Sequence, residues 1–212
     1  MTDSNYTQIL VIADRSGSMS WQNAHIEMQN ALNEYFKAQA KVEGKCLVDY
    51  VQFDSTYELV YEDKPVDAAK AIIEPRSSTA LLDAVGRGTT ELGLKLKALP
   101  EAHRPGKVQV VIVTDGGENA SREWTYEQVK ALVELQTEKY NWDFVFLGAN
   151  IDAPTVGAAF GIQHDKAMTF DIYDQQSLGA TSASLSNYST TYRGGGKAAF
   201  SDEDRKKAVG KS

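Results

Sequence analysis

Apolar residues follow two rhythms along the chain. In some stretches they form short unbroken runs, and in others they return every third or fourth position. The clearest runs are ILVIA at Ile9–Ala13, VQVVIV at Val108–Val113 and DFVFL at Asp143–Leu147. A run without a polar face predicts a strand buried on both sides. Leu47, Val48, Val51 and Phe53 carry another strand over Cys46–Asp54. After a turn at Ser55 a more polar strand follows over Tyr57–Tyr61, closed by Asp63-Lys64-Pro65. So short a connection predicts an antiparallel hairpin, with its second strand on the sheet edge. Ala167–Ile172 reads as a last, weaker strand.

The longer rhythm gives the helices. Ala24, Met28, Ala31, Leu32, Tyr35 and Phe36 place one apolar face on a helix over Trp21–Val42, stopped at Gly44. Val66–Ile73 reads as a brief helix ending before Pro75. Leu81, Leu82, Val85, Leu92, Leu96 and Leu99 predict a long helix from Ala80, in which Gly86 and Gly88 are weak points or a kink. Thr125 with Gln128 is a capping signature opening a helix to Tyr140, and Pro154–Phe160 is a shorter one. Strands alternating with helices predict an α/β protein. Its doubly wound, mainly parallel sheet has one antiparallel edge strand and helices on both faces.

The pattern weakens after Ile172. Residues 174–193 are rich in Ser, Thr and small side chains. They suit either a weakly amphipathic helix, through Leu178, Leu185 and Tyr188, or a mobile segment. Arg193-Gly194-Gly195-Gly196-Lys197 reads as a flexible linker. Ser201-Asp202-Glu203-Asp204 then opens a short basic terminal helix. The expected division is therefore a domain over residues 1–173 and a Ser/Thr/Gly-rich C-terminal extension over 174–212.

Composition narrows the function. The 212 residues carry a net charge of −7, which argues against a nucleic-acid partner, since phosphate binding needs a basic face. Cys46 is the single cysteine, so no internal disulfide is available. The N-terminal MTDSNYTQ is polar and the apolar run behind it is short, so the expectation is a cytoplasmic protein without membrane contact.

The candidate chemistry lies where the first strand stops. Asp14, Ser16 and Ser18 alternate with Arg15 and Gly17, so a tight curl can turn their oxygens toward one centre. One carboxylate with two hydroxyls suits a hard divalent cation such as Mg2+ (or Mn2+). In open sheets of this class, ligands bind beyond the carboxyl ends of the strands, where the winding order reverses. Asp115 ends the other strongly apolar strand, and Thr79 lies in the loop before the intervening helix. Both therefore belong to the same crevice as Asp14.

These motifs resemble the von Willebrand factor type A family. Its metal-ion-dependent adhesion site joins an Asp-x-Ser-x-Ser run to a distant Thr and a later Asp. Here those are Asp14-Arg15-Ser16-Gly17-Ser18, Thr79 in SSTALLDAV and Asp115 in VIVTDGGEN. The resemblance covers about Thr7 to Ile172. It implies that Asp14, Ser16, Ser18, Thr79 and Asp115 bind the metal, directly or through water. It also implies a partner protein that offers an Asp or Glu carboxylate to the open coordination position, and a stand-alone bacterial or phage module. Arg15, Met19, Trp21, Arg76, Glu118 and Asn119 would then set partner choice, with Arg15 favouring an acidic partner.

Two other function classes compete with this one. A metal-dependent hydrolase or phosphotransferase at the same crevice needs a general base, for which Glu118 is the candidate. RSGSM lacks a G-x-S-x-G elbow, and His25, His103 and His164 are not aimed at the site. A structural or assembly role would rest on the C-terminal segment. The reading that follows is a non-enzymatic interaction module.

Overall fold

A computed structural model describes residues 1–210. Six strands form one sheet: β1 (Asp3–Asp14), β2 (Lys45–Phe53), β3 (Tyr57–Pro65), β4 (Pro105–Thr114), β5 (Asp143–Ala149) and β6 (Ala167–Phe170). Their order is β3-β2-β1-β4-β5-β6, with β2–β3 the antiparallel pair and every other neighbour parallel. The α/β class and the antiparallel edge strand are as the sequence predicts. Chain direction across the sheet reverses between β1 and β4, so Asp14 and Thr114-Asp115 share the switch-point crevice.

The unbroken apolar runs are explained by burial on two sides. Ile9, Val11 and Ala13 face α1 (Ala24–Gln39) and α5 (Gln175–Arg193). Leu10 and Ile12 face the opposite core, beneath α2 (Leu81–Ala98) and α3 (Tyr126–Tyr140). α4 (Ala153–Ala159) and α6 (Asp202–Ala208) complete the two layers. The Thr125 hydroxyl and the Gln128 side chain form the anticipated capping box, and Ser201 with Asp204 forms another. Among the described residues no helix is long and apolar enough to cross a membrane.

Three local expectations are corrected. The first long helix begins at Ala24 and not at Trp21, because Trp21 is extended (ψ 128°) and Gln22 and Asn23 are left-handed (φ 47° and 62°). Val66–Ile73 is not helical. Ala69, Ala71 and Ile73 are buried with a spacing of two, and α1 side chains satisfy the backbone between them. Asn33 accepts from Ala71 N at 2.9 Å and Gln29 accepts from Ile73 N at 3.1 Å. Residues 66–68 form a turn, and the irregular stretch behind it is missed by a helix-length reading because its hydrogen-bond partners are side chains far away in sequence.

Gly86 is the third case, since α2 runs through it unbroken. A Cβ there would lie 2.1 Å from the Trp124 ring, so the glycine lets the indole lie against the helix. Gly86→Ala gains about 1 kcal/mol of helix propensity but overpacks this contact. The expected net result is a loss of about 1–2 kcal/mol, measured as a lower urea midpoint at unchanged m-value.

Residues 174–193, open between helix and mobile chain on sequence grounds, are helix α5. Leu178, Leu185 and Tyr188 are buried in the core shared with β1 and α1. α5 runs parallel to α1: Ser182 Oγ donates to Ala31 O at 3.0 Å, and Ser189 Oγ lies 3.1 Å from the Tyr35 hydroxyl. At the far end Arg193 is buried and donates to the Gln39 carbonyl at 2.7 Å. Its guanidinium also reaches the carbonyls of Val42, Glu43 and Gly44, a cation where the α1 dipole is negative. The small residues of α5 are therefore packing residues.

Candidate functional site

Asp14 closes β1 almost without exposure. One oxygen, Oδ1, accepts from Ser16 N at 2.6 Å, which makes the tight curl after the strand. The other, Oδ2, accepts from the Thr114 hydroxyl at 2.5 Å, across the β1–β4 boundary. Ser16 Oγ lies 3.0 Å from Ser18 Oγ, and Ser18 Oγ donates to Asp115 Oδ1 at 2.8 Å. Thr79 joins them from the α2 side. A Cβ on Gly116 would stand 3.4 Å from Thr79 Oγ1 and 4.0 Å from Ser18 Oγ. All five residues singled out in the sequence therefore meet at one crevice.

The loops that bring them there are held by backbone. Gly17 N donates to Ser77 O at 2.7 Å and Arg76 N to Arg15 O at 2.8 Å. A Cβ on Gly17 would lie 2.8 Å from the Arg76 carbonyl oxygen, so only glycine permits this approach. Arg15 N donates to Phe53 O at 2.8 Å, which ties the same loop to the end of β2.

Burial governs the electrostatics. It pushes the Asp14 carboxyl up to about 6, against the Thr114 and Ser16 hydrogen bonds and with a smaller push from the Asp115 charge. Burial raises Asp115 as well, partly offset by Ser18. Two carboxylates are thus held near one another, poorly hydrated and facing three hydroxyls. Among the described residues no group of three or more His, Cys, Asp and Glu is placed to hold a metal. The five-residue set is of another kind: oxygen only, with hydroxyls outnumbering carboxylates, a composition suited to hard cations.

Several residues assigned to partner choice from sequence have other positions. Arg15 is buried, with Nη1 2.6 Å from Glu58 Oε2 and Nε 3.7 Å from Asp54 Oδ2. Met19 is buried too. Glu118 accepts from Ala120 N, Ser121 N, Leu82 N and Ser121 Oγ, which occupies both its oxygens and caps α2. Asn119 brackets Thr79: its Oδ1 accepts from Thr79 N at 2.9 Å and its N–H donates to Thr79 O at 3.0 Å. Trp21 and Arg76 remain exposed.

Sequence reasoning passed over Thr114 and Asp83. Thr114 sits beside the Asp14 carboxylate because the β1–β4 register pairs Ala13 with Val113. That register is not visible in either strand alone. Asp83, in the first turn of α2, accepts from the N–H groups of Arg122, Glu123 and Trp124. An acid in a helix first turn is a legible signal, though not of which loop it holds. Together Asp83, Glu118 and Asn119 lock the Thr79 and Asp115 loops into one piece.

No protein-family model matches the sequence, and a search among curated proteins finds no match. Solved structures are similar in fold. A von Willebrand factor type A protein from Catenulispora acidiphila superposes with a TM-score of 0.61 at 16% identity, over 87% of this chain and 42% of that one. Proximal thread matrix protein 1 from the mussel byssus gives 0.59 at 15% identity, over 87% of this chain and 46% of that one. The ArnB paralog VWA2 from Sulfolobus acidocaldarius gives 0.52 at 17% identity, over 87% and 46%. The chain thus spans less than half the length of each. With the strand order, the edge hairpin and the converging loops, these likenesses show that the chain has the fold of the von Willebrand factor type A domains.

Proposed function

We propose that the chain is a protein-interaction module in which Asp14, Ser16, Ser18, Thr79 and Asp115 hold Mg2+ (or Mn2+) and a partner protein adds an Asp or Glu carboxylate. The observation that carries this reading is the chain of contacts at the switch point of the sheet, in which Asp14 accepts from the Ser16 N–H, Ser16 Oγ meets Ser18 Oγ, and Ser18 Oγ donates to Asp115. When bound, the cation supplies a positive centre with a position open to an incoming carboxylate.

The chain's own residues prepare that position. Ser16 and Ser18 offer neutral oxygens, so the two aspartates are the only negative charges the site contributes. Thr114 fixes the rotamer of Asp14, and Asn119 fixes the height of Thr79. The reading is non-catalytic, because the carboxylate offered as a base, Glu118, is fully engaged in capping. It places the module in the cytoplasm, where a lone thiol such as Cys46 persists.

Thermal melts test the metal. With Mg2+ at about a hundredfold excess over its dissociation constant, the wild type should gain about 2.7 kcal/mol. For a chain of this size that is roughly 5–10 °C in Tm. Asp14→Ala and Ser16→Ala should show no Mg2+ response. A wild-type melt that is the same in Mg2+ and in EDTA overturns the reading.

A further inference from the structure

Thr114 is the last residue of β4 and is buried. Val110 and Ile112 precede it at spacings of two and belong to the core beneath α2, as Leu10 and Ile12 of the neighbouring β1 do. The same alternation brings Asp14 and Thr114 to that face, one step beyond the paired residues Ala13 and Val113. Valine would fill the position with nearly the same shape. What threonine adds is a hydroxyl, and that hydroxyl is fully engaged. It lies 2.5 Å from Asp14 Oδ2 and 3.0 Å from Gly116 O, so its one proton goes to the nearer, charged acceptor. It accepts in turn from Gly116 N at 3.1 Å, which ties the Asp14 carboxylate to the residue after Asp115.

Both Asp14 oxygens are therefore in use within the protein, Oδ1 by Ser16 N and Oδ2 by Thr114. That bears on which divalent cation fits. Mg2+ demands a small octahedral shell and is satisfied by one or two carboxylates with water, whereas Ca2+ takes more oxygens at longer distance and draws readily on both oxygens of one carboxylate. With Oδ2 held by a charge-assisted hydrogen bond, Asp14 has one oxygen fewer to give. The rest of the set, Asp115 and the hydroxyls of Ser16, Ser18 and Thr79, does not make up the shortfall. Neither do the nearby acids, because Glu118 caps α2 and Asp83 holds the backbone of Arg122, Glu123 and Trp124.

We infer that Thr114 is a positioning residue for cation choice: its hydroxyl keeps Asp14 from offering both oxygens, so the crevice takes Mg2+ in preference to Ca2+. This rests on the metal-dependent reading above and goes beyond it by naming the side chain that sets which ion is taken. A residue that only braced the two loops would support both ions alike. The ratio of the two affinities therefore separates a selective role from a structural one.

Calorimetric titrations of the wild type, Thr114→Val and Thr114→Ser with MgCl2 and with CaCl2 test it. The wild type should bind Mg2+ about tenfold or more tightly than Ca2+. Thr114→Val keeps the shape and frees Oδ2. It should lose about 10–100-fold in Mg2+ affinity, the usual effect of removing an outer hydrogen bond to a metal ligand, and little or nothing in Ca2+ affinity. Thr114→Ser keeps the hydroxyl and should keep the preference. Equal affinity of the wild type for the two ions overturns the inference. A parallel loss of both ions in Thr114→Val, or a lost preference in Thr114→Ser, overturns it too. If Thr114→Val does not fold, the wild-type and serine titrations still decide. A wild type that binds neither ion removes the metal reading itself, a result distinct from all of these.

Discussion

Asp14→Asn is expected to stabilise the metal-free protein at pH 8 while removing its response to Mg2+. Burial holds the Asp14 carboxyl at about 6 in the fold, against an ordinary value of 3.8. A folded pKa above the unfolded one means stability that is fully present below pH 4 and is lost as pH rises through about 6. The loss amounts to about 3 kcal/mol once both states are ionised. Asparagine carries no charge, so it avoids that loss. It also keeps the local hydrogen bonds. Its oxygen accepts from Ser16 N, and its amide donates to Thr114 Oγ1, whose own proton can turn to Gly116 O at 3.0 Å. In EDTA the variant should therefore match the wild type near pH 4 and exceed it by about 2–3 kcal/mol at pH 8. That corresponds to roughly 5–10 °C in Tm. Melts across pH 4–8 check it, and a variant that is less stable throughout would show that the carboxylate is worth more to the fold than its burial costs.

Legibility in the sequence followed the range of the interactions. Ile9–Ile12 and Val108–Val113 declare two-sided burial in their own residues, so the central strands and the crevice between them could be placed from sequence. That Asp14, Ser16, Ser18, Thr79 and Asp115 meet at one crevice was legible for the same reason, since each lies at or just beyond an element end that the pattern marks. What escaped depends on distant partners. Val66–Ile73 has enough apolar residues for a helix, yet it is a turn followed by an irregular segment, in which Asn33 and Gln29 on α1 supply the hydrogen bonds of Ala71 and Ile73. Residues 174–193 have the composition of a loose tail, yet they pack because their small side chains let α5 lie close to α1, with Ser182 Oγ donating to the Ala31 carbonyl and Gln39 Nε2 donating to the Ser186 carbonyl. Arg15 misled because charge suggests exposure, whereas Glu58 and Asp54 reach it from the neighbouring hairpin.

That buried arginine leads to the second large effect. Arg15→Met keeps most of the side-chain volume and deletes the guanidinium that joins the metal-site loop to the hairpin. Asp54 is then left buried with the Thr56 N–H and hydroxyl, at 2.8 and 2.7 Å, and the more distant Arg76 charge to hold its own. Removing one member of a fully buried ion pair costs about 3–5 kcal/mol. Glu58 is half exposed and recovers hydration, so the expected loss is about 2–3 kcal/mol. The pH dependence shifts as well. Burial opposes ionisation of Asp54, but Thr56 and the Arg15 charge outweigh it and hold the carboxyl below its ordinary value. Its contribution is present above the unfolded pKa and is lost as pH falls through the folded one. Without Arg15 that acid loss begins at a higher pH. Glu58→Gln should cost less, about 1 kcal/mol, and the double variant should be less destabilised than the sum of the two, because both changes break one contact. The Mg2+ response should survive in all three, since the loop is still anchored through Arg15 N to Phe53 O and Arg76 N to Arg15 O. Urea midpoints with and without Mg2+ decide the matter. Full stability in Arg15→Met would mean that the guanidinium does not hold this corner of the fold, and loss of the Mg2+ response would mean that the side chain, and not the backbone, positions the site.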